Sequence, residues 1–234
     1  MNTSHSEDGK KALRCKINRK KYPHNNHGGD VSERVGRIAA EFTQGFEVLQ
    51  KYDLAATFFG SARCSLGSAM YDDATKLAYR LARSGFTIIT GGAAGVMEAA
   101  NKGAREAGGE SVGLNIMLPE EQSGNDYTTE RHDFHYFFTR KVMLTFASEV
   151  YIYFPGGFGT LDEFFEIATL VQTKKIEPIP IILMGSTYWA PLLEWLKEGL
   201  LEKYQTISQA DVHIYTLVDT VDEAYNAIIE QVCE

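Results

Sequence analysis

A glycine-rich segment, residues 155–163 (PGGFGTLDE), constrains the fold of this chain more than any other. Residues 150–154, just before it, are apolar or aromatic and predict a buried strand. From 161 to 171, apolar side chains recur at helical spacing and predict a helix. Glycines between a strand and a helix bring bare backbone N–H groups close to an anionic oxygen, and the helix N-terminus adds positive potential. The segment therefore predicts a phosphate site, with the carboxylate of Glu163 one helical turn further on.

The strand-then-helix pattern recurs along the chain. The predicted strands are residues 54–59, 86–90, 111–116, 133–138, 150–154, 181–184 and 213–218. The predicted helices are residues 31–52, 70–84, 96–107, 139–147, 161–173, 188–201 and 219–232. Most of the strands are continuously apolar, which is typical of a parallel sheet covered on both faces. We predict an α/β fold with a doubly wound, mainly parallel sheet of about seven strands, whose glycine-rich turns gather at one edge.

Composition and charge exclude several classes of function. A chain of 234 residues with a formal net charge of -8 fits one globular domain and argues against binding to nucleic acid. No apolar run approaches the roughly 18 residues of a membrane span, and residues 1–8 lack the apolar core of a signal peptide. Cys15, Cys64 and Cys233 lack metal-ligand spacing. We therefore predict a cytoplasmic protein with free thiols.

The first thirty residues differ from the rest. They contain seven Lys or Arg against three Asp or Glu, with few apolar side chains. We interpret residues 1–30 as a flexible basic tail before a single domain at 31–234; the alternative is an arm for an anionic partner or a metal-binding tract. Elsewhere, His132 and His135 fall on opposite faces of a predicted strand, so they do not favour a metal site. We predict neither a metal nor a cofactor.

A second glycine-rich turn, residues 91–97 (GGAAGVM), follows the second predicted strand. Its glycines suit phosphate binding but do not match the GxGxxG dinucleotide pattern, and a tight structural turn explains them equally well. Glu98 stands at the helix start, where the helix dipole favours a carboxylate in any case.

Cations are placed to complete an anion site. Arg140 and Lys141 adjoin two phenylalanines, a combination that suits a planar anionic ligand, although an ordinary surface pair would look the same. Arg63, in the turn that follows the first strand and begins with Gly60 and Ser61, is a similar candidate.

Segments 91–97 and 155–163 together resemble the motifs of the LOG family, the cytokinin-activating nucleoside 5′-monophosphate phosphoribohydrolases and their bacterial relatives. The second segment matches the family's PGGxGTxxE at every fixed position, and Arg140 with Lys141 stands where the family has an Arg-Lys pair. The resemblance covers about residues 54–218. Thr90 replaces the first glycine of the family's GGGxxGxM form, and Glu98 stands where the plant enzymes have glycine, which leaves the base preference open.

The resemblance implies a Rossmann-like nucleotide-binding domain, a homodimer with active sites near the interface, and Arg140 and Glu163 as catalytic residues. The candidate substrate-binding residues, from the resemblance and from the turns described above, are Gly60, Ser61, Gly91, Gly92, Gly95, Met97, Glu98, Lys141, Gly156, Gly157, Gly159 and Thr160.

The implied reaction is hydrolysis of the N-glycosidic bond of an AMP-like nucleoside 5′-monophosphate, which releases adenine or a cytokinin and ribose 5-phosphate. Glu163 would bind the ribose hydroxyls and stabilise the oxocarbenium-like charge, or orient the attacking water. Arg140 would stabilise the departing base or hold the substrate in position, and Asp162 is a candidate for the proton donor. The alternatives are a nucleotide sensor without catalysis and a phosphoribosyl transferase, for which no clear acidic metal-binding run is present. Family members have often been labelled "lysine decarboxylase", but no lysine stands in a recognisable pyridoxal-phosphate setting.

Overall fold

The computed structural model describes residues 31–117 and 124–232. The proposed N-terminal tail lies outside the described residues, as do Cys15, Cys233 and part of the loop predicted for 119–130. Across the described part of the chain, no helix combines the length and the apolar character that crossing a membrane requires.

Strands and helices alternate through the described residues except between the third and fourth strands, where no described residue is helical. The strands form one seven-stranded, all-parallel sheet, as predicted. The strands are β1 Ala55–Phe59, β2 Thr87–Thr90, β3 Ser111–Ile116, β4 Glu130–Phe134, β5 Val150–Tyr153, β6 Ile181–Met184 and β7 Thr216–Val218. The helices are α1 Val31–Leu49, α2 Ala69–Arg83, α3 Val96–Glu106, α4 Phe137–Thr145, α5 Phe158–Gln172, α6 Ser186–Trp195 and α7 Val221–Val232.

The strand order places a crevice at the centre of the sheet. The order is β4-β3-β2-β1-β5-β6-β7, so the chain winds outward from β1 in one direction and then from β5 in the other. β1 lies between β2 and β5, with Thr57 paired to Ile89 on one side and to Tyr151 on the other. In open α/β sheets such a reversal leaves a crevice at the carboxyl ends of the two central strands, which is where ligands bind.

Apolar side chains on the two faces of the sheet form two core layers. All five residues of β1 are buried, and they alternate between the layers, since Phe58 packs with α2, α3 and α7 whereas Phe59 packs with α4, α5 and α6. Because both faces are covered, most of the strands are continuously apolar rather than alternating, which is why their pattern predicted a parallel sheet. The edge strand β4 is the exception, since four of its five residues are polar or charged.

The prediction was wrong between residues 130 and 147. The aromatic run was assigned to a strand at 133–138, but β4 ends at Phe134, and Phe137 begins α4. The N-terminus of this helix is capped from a distance, because the Glu41 carboxylate accepts hydrogen bonds from the backbone N–H groups of His135 (2.8 Å) and Tyr136 (3.3 Å). Such a cap accepts hydrogen bonds from N–H groups that a helix start otherwise leaves unpaired. Because Glu41 lies far from α4 in the sequence, no local sequence pattern predicts this cap.

The C-terminal third also differs from expectation. The helix predicted for 188–201 begins earlier, as α6, and continues as a π-helical segment, Leu196–Lys203. The strand predicted for 213–218 is reduced to β7, because Gln209–His213 forms a 3-10 helix that starts with a capping box between Ser208 and Asp211. The other predicted elements are present, and their ends agree with the prediction or differ by one to three residues.

Two helix starts have clear chemical causes. Thr220 and Glu223 form the predicted capping box of α7, in which the Thr220 hydroxyl accepts from the Glu223 N–H (3.1 Å) and the Glu223 carboxylate accepts from the Thr220 N–H (3.0 Å). α5 starts at Phe158 rather than at the predicted Leu161, so Gly159 and Thr160 belong to its first turn. The phosphate-loop candidate is therefore itself a helix N-terminus.

Candidate active site

A pocket of about 1040 Å³ lies at the carboxyl ends of β1, β2 and β5, where the strand order reverses. Eleven of the fourteen predicted site residues line it: Gly60, Ser61, Gly91, Met97, Arg140, Lys141, Gly156, Gly157, Gly159, Thr160 and Glu163. The glycine-rich turns therefore gather at one edge of the sheet, as predicted from their positions after strands.

The loop between β5 and α5 presents bare backbone to the pocket. A side chain at Gly157 or Gly159 would meet no atom within 4 Å, so neither glycine is required by packing inside the protein. Gly156 is different, because a Cβ there would lie 2.1 Å from the Thr160 hydroxyl. The open space above Gly157 and Gly159 is room for a ligand that approaches the backbone N–H groups at the start of α5.

Neighbouring elements hold this loop in place. The Ser61 N–H donates to the Pro155 carbonyl (3.0 Å), which ties the turn after β1 to the loop after β5. The Tyr188 hydroxyl donates to the Gly156 carbonyl (2.7 Å) from the first turn of α6. Tyr188 lines the pocket but was not predicted, because nothing in the sequence around it indicates which distant loop it contacts.

Arg140, in the first turn of α4, is held by backbone carbonyl groups. Its Nε donates to the Leu114 carbonyl (2.6 Å), and one terminal nitrogen lies 3.5 Å from the Gly91 carbonyl oxygen. A Cβ at Gly91 would lie 2.2 Å from this nitrogen, so the glycine makes room for the guanidinium. Burial lowers the pKa of Arg140, and the nearby carboxylate of Glu163 opposes that shift.

Glu163 is a buried carboxylate with no hydrogen-bond partner among the described residues. It lies in the second turn of α5 and is 9% exposed. Burial raises its pKa to about 7; Lys141 and Arg140 act in the lowering direction, and Glu166 in the raising direction. A buried acid without partners, facing a pocket beside two cations, is an arrangement typical of functional sites.

Lys141 joins α4 to α5. Its ammonium group lies 2.8 Å from Asp162 and 3.1 Å from Glu166. Burial alone would lower the pKa of Lys141, but the hydrogen bonds with these carboxylates raise it. Since Asp162 is committed to this ion pair, its geometry gives no support to the suggestion that it donates a proton to the base.

Three predicted site residues, Gly92, Gly95 and Glu98, do not line the pocket. Gly95 has a φ of 72°, and a Cβ there would lie 2.2 Å from the Ser61 carbonyl oxygen, so it allows two turns to pack closely. Glu98 accepts a hydrogen bond from the Tyr71 hydroxyl (3.0 Å). These residues support the glycine-rich turn at residues 91–97 and the start of α3 rather than face the crevice.

Thr90, which departs from the family's glycine pattern, has a structural role of its own. Its hydroxyl donates to the Asn101 side-chain oxygen (2.6 Å) and accepts from the Gly92 N–H (2.9 Å). Asn101 in turn binds Asn125 (2.9 Å) and Ser111 (2.8 Å). A buried polar network thus fixes the turn that precedes α3.

The rest of the pocket wall is largely apolar. The apolar side chains that line it are Phe59, Met70, Met97, Phe137, Phe138, Leu144 and Phe158. Phe158, at the variable position of the glycine-rich motif, lines the pocket and is 94% exposed, but it was not among the predicted site residues. Met70 was missed because α2 reaches the crevice only through the tertiary fold. Among the described residues, no cluster of His, Cys, Asp or Glu is arranged to hold a metal ion.

Comparisons with known proteins agree with this architecture. Residues 97–228 match the family model described as "Possible lysine decarboxylase". The chain is 28% identical over 158 residues to a cytokinin riboside 5′-monophosphate phosphoribohydrolase of Rhodococcoides fascians, a match that covers 65% of this chain and 78% of the relative. It is 27% identical over 177 residues to a probable enzyme of the same name from Oryza sativa subsp. japonica, covering 74% and 70%.

The fold also matches a solved structure. An X-ray structure from the Northeast Structural Genomics Consortium has a TM-score of 0.56 at 27% identity and covers 76% of this chain and 99% of its own. The family model spans more than half of the chain and includes the loop before α5, Arg140 and Glu163. The protein therefore belongs to the LOG family, whose family model carries the lysine decarboxylase description.

Proposed function

We propose that this protein hydrolyses the N-glycosidic bond of a nucleoside 5′-monophosphate. The bond between C1′ of the ribose and the base nitrogen breaks, the oxygen of a water molecule bonds to C1′, and the base nitrogen receives a proton. The products are a free base and ribose 5-phosphate.

The observation that carries this proposal is the position of Glu163 relative to the phosphate loop. Gly157 and Gly159 leave open space for an anion at the start of α5, and Glu163 follows within the same helix, buried and without a hydrogen-bond partner among the described residues. A phosphate on the loop would place the attached ribose beside the carboxylate.

The carboxylate supplies the chemistry that this reaction needs. Cleavage of a glycosidic bond passes through an oxocarbenium-like state, and a carboxylate beside the sugar stabilises that charge or orients the attacking water. Arg140 lies close enough to lower the pKa of Glu163 and is held by two backbone carbonyl groups, so it can position the substrate without moving. The apolar wall formed by Phe137, Phe138 and Phe158 suits the flat face of a base.

The relatives extend the proposal to the substrate. Their names refer to cytokinin riboside 5′-monophosphates, and AMP has the same phosphoribosyl group with an unsubstituted adenine. We infer that the substrate is AMP or a nucleotide with a modified adenine.

The test is a panel of nucleoside 5′-monophosphates with chromatographic detection of the released base. We expect adenine or a related base from the wild type. The variant Glu163→Gln keeps the size of the side chain and removes its charge, so we expect turnover to fall by about 10²-fold or more. Near-normal turnover by Glu163→Gln would exclude the assigned role. Tight nucleotide binding by the wild type with no base released would instead support a nucleotide sensor without catalysis.

We also infer a homodimer, as the resemblance implies, and a cytoplasmic location, as the cysteine usage indicates. The exposed side chains of Phe137, Phe138 and Phe146 on α4 and just after it, together with Phe165 on α5, provide an apolar surface for a second copy. Light scattering of the purified protein measures this directly, and a monomer at micromolar concentration would contradict it.

A further inference from the structure

Arg63 is an exposed cation on the wall of the pocket, in the turn that follows β1. Its side chain makes no hydrogen bond or ion pair with any described residue, although its backbone N–H does. Its side chain therefore leaves a positive charge unpaired at the rim of the pocket, in a chain with a formal net charge of -8.

The other two cations of the pocket are already engaged. Lys141 is shared between Asp162 (2.8 Å) and Glu166 (3.1 Å). Arg140 is bound to the Leu114 carbonyl (2.6 Å) and faces the charge of Glu163. Among the described residues that line the pocket, Arg63 is thus the cation whose charge and donors are free for a ligand.

The turn that carries Arg63 is fixed against the phosphate loop. The Ser61 N–H donates to the Pro155 carbonyl (3.0 Å), and the Val96 N–H donates to the Ser61 carbonyl (3.1 Å). Within the turn, the Arg63 N–H donates to the Ser61 hydroxyl (3.1 Å). The backbone is therefore positioned beside the loop, while the side chain stays unengaged.

The phosphate loop itself lacks a cation. Residues 156–160 (GGFGT) offer backbone N–H groups and one hydroxyl, and the start of α5 contributes about half a positive charge. A phosphate monoester carries between one and two negative charges at neutral pH. The loop leaves part of that charge unbalanced, and a guanidinium can complete it with two parallel hydrogen bonds.

We propose that Arg63 binds the 5′-phosphate across from the glycine loop and so selects phosphorylated over unphosphorylated nucleosides. The proposal rests on the proposed function for the identity of the ligand and adds the residue that recognises its charge. Arg63 binds the substrate and takes no part in breaking the glycosidic bond.

The test measures binding, separately from turnover. Ribose 5-phosphate is the main probe, since it is common to all nucleoside 5′-monophosphates, and it is titrated calorimetrically into the wild type, Arg63→Ala, Arg63→Lys and the control Arg83→Ala. Arg83 is an exposed arginine in the last turn of α2 and does not line the pocket. AMP and adenosine are then compared by the same method.

We expect Arg63→Ala to lower the affinity for ribose 5-phosphate and for AMP by about ten- to a hundred-fold, which is the usual effect of losing a hydrogen bond between charged groups. The affinity of Arg63→Lys should lie between those of the wild type and Arg63→Ala, because lysine keeps the positive charge but lacks the planar guanidinium with its two parallel donors. Binding of adenosine, the behaviour of Arg83→Ala and the thermal midpoints should all be unchanged.

Equal affinity of Arg63→Ala and wild type for ribose 5-phosphate would overturn the proposal, whether or not AMP is hydrolysed. An equal loss of affinity for AMP and for adenosine in Arg63→Ala would also overturn it, because Arg63 would then not recognise the phosphate. Binding that depends on Arg63 in a wild type that releases no base would support the role of Arg63 and contradict the proposed hydrolysis.

Discussion

At the scale of single residues, the role proposed for Glu163 conflicts with the stability of the folded protein. Burial raises its pKa from 4.5 to about 7. The folded state therefore keeps this proton up to about pH 7, whereas the unfolded chain releases it near pH 4.5. Between these values the folded state binds more protons, so the free energy of unfolding falls as the pH rises. The ionised carboxylate therefore destabilises the folded state at neutral pH, which is consistent with the role proposed for Glu163.

Replacing Glu163 by glutamine should therefore stabilise the protein while it reduces activity. We expect the free energy of unfolding of Glu163→Gln to exceed that of the wild type by up to about 3 kcal/mol at pH 8, with little difference at pH 4.5. Urea unfolding of both proteins at the two pH values measures the difference in the free energy of unfolding. The contributions of the other titrating groups are common to both proteins and cancel in this difference. A variant that is less stable than the wild type at pH 8 would show that the ionised carboxylate is well compensated.

At the scale of secondary-structure elements, the start of α5 contains both a glycine that packing requires and glycines that packing does not require. Gly156 packs against Thr160, whereas Gly157 and Gly159 face open space. The three positions lie within four residues of each other, so alanine at each provides a matched comparison.

We expect Gly156→Ala to destabilise the protein by about 1–3 kcal/mol, because the new methyl group overlaps Thr160. Gly159→Ala lies in the first turn of a helix and should be neutral or stabilising by up to about 1 kcal/mol. It should nevertheless weaken nucleotide binding by about tenfold or more, since its methyl group occupies the space left for the phosphate. Thermal unfolding and nucleotide titration of the same samples test both effects. Unchanged affinity in both Gly157→Ala and Gly159→Ala would show that the phosphate does not approach this backbone.

The start of α4 depends on another element for its cap. Glu41 accepts hydrogen bonds from the backbone of His135 and Tyr136 and from the Thr139 hydroxyl. Arg140 follows in the same turn of helix, so the cap also fixes the base of the arginine that faces Glu163.

Removing this cap should affect both stability and turnover. We expect Glu41→Ala to lower the free energy of unfolding by about 1–3 kcal/mol and to reduce base release, because the first turn of α4 loses its partner. Glu47→Ala is the control, since Glu47 is an exposed residue of the same helix with no hydrogen bond or ion pair among the described residues. If the two variants unfold at the same temperature and turn over equally fast, the cap does not support the site.

At the scale of the whole molecule, the strand order assembles the site from distant parts of the chain. β1 and β5 are neighbours, so the turn after one meets the loop after the other through the hydrogen bond from Ser61 to Pro155. α4 connects β4, at one edge of the sheet, to β5, near its centre. This connection brings Arg140 to the crevice. The pocket therefore depends on the order of the strands as much as on any motif.

Local patterns in the sequence were enough to predict the parallel sheet, the glycine loops after the strands and the helix that carries Glu163. These features depend on side-chain periodicity and turn chemistry, which involve residues close together in the chain. The start of α4 and the contribution of Tyr188 could not be predicted in this way. Each depends on a hydrogen bond between residues far apart in the sequence, which the Thr139 hydroxyl donates to Glu41 in one case and the Tyr188 hydroxyl donates to the Gly156 carbonyl in the other. Such partners meet only after the strand order and the packing of helices on the sheet have brought them together, which is why tertiary structure was needed to complete the site.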